Sequence, residues 1–241
     1  MTSAPASNPN PTAPTIQQSP VDFTSSQFTS TSVPTTVTLH GSGAYDGLDN
    51  NVVFANTLSF AGNSYTTLGF HFHSPVEHTL PMLPSTQGGY SGQPVPQLEL
   101  HIKAMDQNGK VAVFVVQYQV NANVGIASPT LNSLSTLLTS GSNTQLTQAL
   151  GLNNTLALFT SQLFLGYTGS LTTPPCTTGV QFFVLLLPRQ ITAAQMTTIV
   201  SNLQTAGMPN TTTKTTPVGN NRLPRQLTAS PKVNIYTGQG L

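Results

Sequence analysis

Side chains able to do chemistry are scarce in this sequence, and they gather in one place. The chain has five histidines and six carboxylates in 241 residues, yet His71, His73, His78 and His101, together with Glu77 and Glu99, all fall between positions 71 and 101. In Gly69-Phe70-His71-Phe72-His73, successive side chains of an extended strand point to opposite faces. The two histidines therefore project from one side and the two phenylalanines from the other. His101 arrives in Gln97-Leu98-Glu99-Leu100-His101-Ile102, an alternating run that also reads as a strand and could lie beside the first. Three neutral imidazoles with a fourth position left open is how a catalytic zinc is held. A lone His-x-His is more often a pair of half-buried strand histidines; the third histidine, and two acids in a chain that has nearly discarded them, favour a metal. Glu99, two residues before His101 on the same strand face, is placed to accept the outer N–H of a ligand imidazole, the contact that fixes ring orientation. A plain surface carboxylate is the alternative reading of Glu99.

The composition around this cluster is unusual. Hydrophobic residues make up 37% of the chain and charged residues only 5%, against about 25% charged in an ordinary globular protein, so the surface must be built from Thr, Ser, Asn and Gln. A net charge of +1 points to no nucleic-acid or anionic-membrane partner. Acid unfolding works through carboxylates that must take up protons, so a chain with few of them is expected to tolerate acid, which suggests an acidic setting outside the cell. A Ser/Thr-rich surface kept for solubility alone is the competing explanation. Cys176, the single cysteine, excludes an internal disulfide and reads as a small buried apolar side chain. No run of roughly 18 apolar residues appears, so no membrane span is expected.

The elements that must position the cluster follow from periodicity and turn residues. Residues 1–15 read as a flexible leader, not a signal peptide, and 16–241 as a single domain. A Ser/Thr-rich segment runs to about Thr36, Val37 to Leu39 reads as a short strand, and the Gly- and Asp-rich stretch 41–50 as loop. Asn51 to Phe54, Thr57 to Phe60 and Tyr65 to His73 read as strands, and Pro81 to Pro96 as loop. A strand over Gln97 to Met105 leads through the hairpin signal Asp106-Gln107-Asn108-Gly109 into Lys110 to Val120, an apolar run expected to be a buried central strand. Leu131, Leu134, Leu137 and Leu138 fit one helical face, with a further turn of helix at Leu146 to Leu150. Phe164 to Leu171 and Val180 to Leu187 read as strands, and Thr192-Ala193-Ala194-Gln195 as a capping box opening a helix with an apolar stripe at Met196, Ile199, Val200 and Leu203. The tail from Thr211 reads as polar and irregular.

Five blocks, in order, resemble the signatures of the alpha-class carbonic anhydrases: Gln18-Ser19-Pro20-Val21-Asp22, Phe70-His71-Phe72-His73 with Glu77-His78, Glu99-Leu100-His101, Gly169 to Cys176 (GSLTTPPC), and Asn220-Asn221-Arg222. The resemblance implies a mostly β fold, a large, twisted, mainly antiparallel central sheet with short peripheral helices, and zinc at the bottom of a conical cleft. It implies His71, His73 and His101 as zinc ligands and reversible hydration of CO2 to bicarbonate by zinc-bound hydroxide. Thr172 would accept a hydrogen bond from that hydroxide and pass its own proton to Glu77. Thr173 and the Thr172 backbone N–H would contact substrate or bicarbonate. His78 would be a buried structural histidine. Val111, Val113, Leu171 and Phe182 would form the apolar wall beside the metal, although all four also read as ordinary core. Relatives that act as non-catalytic binding or surface proteins typically lose a ligand histidine, and all three are present here. The sequence leaves the oligomeric state, a homodimer included, undetermined, and the expected setting is secreted, extracellular or periplasmic.

The chain departs from the family pattern at several points. Gly69 stands where the family usually has a Gln that bonds a ligand imidazole, Lys103 where an apolar wall residue is usual, and no tryptophan is present. The histidine that often shuttles protons from the cleft is missing near Asn50 to Phe54, which leaves His40 as the candidate shuttle.

Overall fold

A computed structural model describes residues 19, 21–22, 27–33, 35–37, 43–45, 52–54, 57–60, 63–80, 96–120, 158–159, 162–172, 176–205, 225–226 and 232–238, with side chains placed for 19, 63–80, 96–120, 158–159, 162–172 and 176–200. The expected leader, the two leucine-patterned helical stretches, His40 and Thr173 lie outside the described residues.

Most of the described backbone belongs to one twelve-stranded sheet. Its strands are β2 (Gln27–Val33), β3 (Thr35–Val37), β4 (Gly43–Tyr45), β5 (Val52–Phe54), β6 (Thr57–Phe60), β7 (Asn63–His73), β8 (Leu98–Asp106), β9 (Val111–Val120), β10 (Leu163–Ser170), β11 (Thr178–Leu185), β12 (Arg189–Ile191) and β14 (Lys232–Gly238). The main path runs β2-β14-β10-β11-β9-β8-β7-β5-β4. Pairing is mainly antiparallel, with parallel joints at β9/β11, β9/β12 and β2/β14. A separate parallel pair joins β1 (Val21–Asp22) to β13 (Arg225–Gln226).

The expected strands between residues 52 and 185 are present with ends shifted by a residue or two. Three expectations need correction. The segment before Thr36 contains β2, the 41–50 stretch contains β4, and the tail contains β13 and β14. In each, backbone pairing to a neighbouring strand supplies what the side-chain pattern did not announce: β14 bonds β10 on one edge and β2 on the other.

The central hairpin is built as its turn residues require. Asp106 Oδ1 accepts from the Asn108 and Lys110 amides at 2.9 and 2.8 Å, and Gly109 takes φ +79°, a conformation that glycine adopts at no steric cost. Beyond it, β9 is buried on both faces along nearly its whole length, so it reads as a continuous apolar run. One face carries Phe114 stacked on Phe183 at 5.2 Å, with Phe159 edge-on to Phe114 and Phe164. The other carries Val113, Val115, Leu165, Tyr167, Phe182 and Val184. Each fully buried side chain of this size contributes about 1.5–3 kcal/mol relative to exposure, so this double layer holds the middle strands, and the site on them, in a fixed register. The helix α1 (Ala193–Thr205) opens with the expected reciprocal cap: Gln195 N donates to Thr192 Oγ1 at 3.2 Å and Thr192 N to Gln195 Oε1 at 3.1 Å.

Candidate metal centre

The three histidines meet because of strand register. β7 and β8 pair antiparallel with His71 opposite His101 and His73 opposite Glu99, and alternation turns all four side chains to one face. Ring centroids lie 4.8 Å apart for His71 and His73, 5.2 Å for His71 and His101, and 4.5 Å for His73 and His101. The Nε2 atoms of His71 and His73 approach to 2.9 Å, and one nitrogen from each of the three rings lies within 4.8 Å of the others. His73 and His101 are buried, and His71 keeps partial exposure.

Glu99 sets the orientation of this group. Its Oε1 meets His101 Nε2 at 2.6 Å and His78 Nδ1 at 2.7 Å, while Oε2 accepts from the Glu77 and His78 amides at 3.2 and 3.0 Å and from Gln117 Nε2 at 2.8 Å. Burial alone would raise the pKa of this carboxyl. The charge on His78 and the hydrogen bonds from His101 and His78 outweigh burial and hold it well below the usual carboxylate range. With Nε2 of His101 committed to Glu99, its Nδ1 is the nitrogen left to coordinate. Burial disfavours the charged form of His101, yet the bond to Glu99 and the charges of Glu99 and Glu77 raise its pKa above the ordinary value. His71 is shifted down, first by burial and then by His73, His101 and Lys103. Glu77, also buried, places Oε1 3.5 Å from His73 Nδ1 and Oε2 3.9 Å from His101 Nε2.

The donor set fits zinc. It offers three imidazole nitrogens at close mutual distance, with one ring oriented from behind by a carboxylate, as nitrogen-ligated zinc sites are built.

The remaining predicted residues fall around this group. His78 is buried as expected, and its Nε2 meets the Tyr167 hydroxyl at 2.6 Å. Val113 and Phe182 belong to the apolar cluster on the same face, with Val111 and Leu171 packed against it, and the Phe182 ring lies 6.3 Å from His101. Thr172 is half-buried; beside it, Leu171 N donates to Thr177 O at 2.9 Å, and the strand register shifts between Gly169 and Ser170. Cys176 is half-buried, not buried as expected, and sits at φ +56°.

Sequence reasoning missed the support behind Glu99. Tyr167, stacked on Phe182 at 4.9 Å, links His78 to Ser19, whose Oγ lies 3.0 Å from the Tyr167 hydroxyl and accepts from Ser170 N at 3.1 Å. Ser19 N in turn donates to Ser170 Oγ at 2.9 Å. Gln117 joins from β9 and also donates to the His78 carbonyl at 2.7 Å. Ser19 and Ser170 fall in two of the family-like blocks and Gln117 interrupts an apolar strand, but neither signal shows that they meet behind Glu99.

Known proteins resemble this chain in sequence and in fold. The family model for eukaryotic-type carbonic anhydrases matches residues 96–234, a span that includes Glu99, His101 and Thr172 and begins after His71, His73 and Glu77. The carbonic anhydrase of Neisseria gonorrhoeae is 32% identical over 140 residues, 58% of this chain and 49% of that protein. Alpha carbonic anhydrase 7 of Arabidopsis thaliana is 31% identical over 144 residues, 59% of this chain and 47% of that protein. The matched region thus spans about half the length of these relatives. Among solved structures, the alpha-carbonic anhydrase of Thermovibrio ammonificans in complex with sulfanilamide aligns over 92% of this chain and 87% of its own, with TM-score 0.62 and 21% identity. A structure of dioscorin complexed with ascorbate aligns over 94% and 87%, with TM-score 0.59 and 18% identity. At these identities both show the fold alone.

Proposed function

Because this chain belongs to the eukaryotic-type carbonic anhydrase family, we propose that it is a zinc enzyme interconverting CO2 and bicarbonate. The observation that carries the reading is the convergence of His71, His73 and His101 on one point, with Glu99 holding His101 from behind. His71, His73 and His101 would hold zinc, whose Lewis acidity would bring the ionisation of a water down to about pH 7 and so supply hydroxide for CO2.

The chain's own residues do the rest. Val111, Val113, Leu171 and Phe182 offer uncharged CO2 an apolar surface beside the metal. Thr172 would accept a hydrogen bond from that hydroxide and direct its own proton toward Glu77, and Thr173 would contact the substrate or product anion. The other four histidines being engaged at the centre, His40 is the residue left for proton transfer, and hydration is expected to accelerate with added imidazole buffer. We place the enzyme outside the cytoplasm, in an acidic extracellular or periplasmic setting.

Stopped-flow CO2 hydration on zinc-loaded, chelator-stripped and re-zinced protein tests the proposal. Activity should vanish with the metal and return with it. A correctly folded, zinc-loaded chain with no hydration above background would instead favour the non-catalytic binding role.

A further inference from the structure

Lys103 is one of only seven Lys and Arg in the chain, and it stands beside the histidine cluster. It lies two positions beyond His101 on the same face of β8, and it is half-buried. Register places Gly69 on one side of it and Val113 on the other, two register positions along from the His71/His101 pair. Neither neighbour has a side chain able to accept a hydrogen bond, and Val113 is buried in the apolar cluster. Among the described residues no carboxylate pairs with Lys103: the ion pairs there join histidines to Glu77 or Glu99. Asp106 turns its Oδ1 to the hairpin amides. The chain keeps only seven Lys and Arg in total, and holding one partly out of water beside three imidazoles costs desolvation that an apolar side chain would avoid.

An anion at the centre would offset that cost. We infer that Lys103 determines ligand charge at this site, its ammonium holding an anionic ligand, bicarbonate or a small carboxylate, that lodges over the three histidines. Residues two apart on a strand are separated by about 6.5–7 Å, and the flexible four-carbon stem of lysine spans most of that distance. Uncharged CO2 gains nothing from the contact, so Lys103 discriminates between the two sides of the reaction and retains the charged one. The inference rests on the proposed zinc function for the metal and adds to it a second point of attachment for the anion.

Calorimetric titration of bicarbonate, and separately of acetate, into zinc-loaded wild type, Lys103→Met and Lys103→Arg tests this, with zinc content and circular dichroism checked for each. Lys103→Met should weaken both anions by about tenfold, the loss expected for one charge-assisted contact, and Lys103→Arg should keep most of the affinity. Chelator competition should show Lys103→Met holding zinc roughly threefold more tightly, because a repelling charge is gone. Equal anion affinity in wild type and Lys103→Met, both zinc-loaded and folded, overturns the inference and leaves the proposed function standing. Equal loss in the Arg and Met variants overturns it too, since charge would then not be what the site reads. A wild-type chain that takes up no zinc defeats the proposed function and this inference with it.

Discussion

Glu99 is the residue on which the centre turns. Five donors converge on its two oxygens, and each oxygen serves a different part of the structure: Oε1 the two rings, Oε2 the backbone and Gln117. Glu99→Gln replaces one acceptor oxygen with an NH2 that faces existing donors, leaving at least one buried N–H unpaired at about 1–3 kcal/mol. It should also weaken zinc binding by about 10–100-fold, as read by chelator competition, with the loss of stability read from urea midpoints. Unchanged zinc affinity would show that His101 does not depend on Glu99 for its orientation. The clustering of His71, His73 and His101 was legible in the sequence because strand alternation is exact and because acids are so rare that two of them near three histidines stood out. Tyr167 and Ser19 were not, because their contacts span 89 and 148 residues and a tyrosine on an apolar strand looks like core.

At the scale of elements, the hairpin from β8 to β9 and the cap of α1 were legible because their chemistry is local. Asp106 bonds residues two and four positions on, and Thr192 and Gln195 satisfy each other within one turn. Such features are separable from the site. Thr192→Ala should cost about 1 kcal/mol through loss of the cap, and Gly109→Ala a similar amount: no atom lies within 4 Å of the added methyl, so only the positive φ resists it. In both variants denaturant midpoints should fall while zinc affinity stays as in wild type; a change in zinc affinity would mean that these turns and the centre are mechanically coupled. The outer strands β2 and β14 were illegible for the opposite reason. QFTSTSV and KVNIYTG carry too few apolar residues to announce a strand, and only the sheet they pair with reveals them.

For the molecule as a whole, few charges leave pH dependence to the buried centre. In the metal-free chain His101 has a raised pKa, so the stability it contributes is fully present below the unfolded histidine value of about 6.5 and is lost as pH rises through the folded value. His71 is lowered: the folded state resists its protonation, so stability falls as pH drops below about 6.5. Glu99, held low, contributes stability above about pH 4.3 that is lost only as pH falls through its much lower folded value. Thermal midpoints of the metal-free chain should therefore peak near pH 6.5, with acid unfolding delayed because so few other carboxylates remain to be protonated. With zinc bound, protons compete with the metal and stability should instead rise from pH 5 to 8; identical profiles with and without zinc would contradict this assignment of the histidines. The most direct test of the centre is zinc-edge X-ray absorption on the loaded chain. The account predicts three imidazole nitrogens at about 2.0–2.1 Å and one light atom from solvent in the fourth position. A sulfur neighbour, a fourth imidazole, or spectra unchanged by replacing His71, His73 or His101 would contradict it.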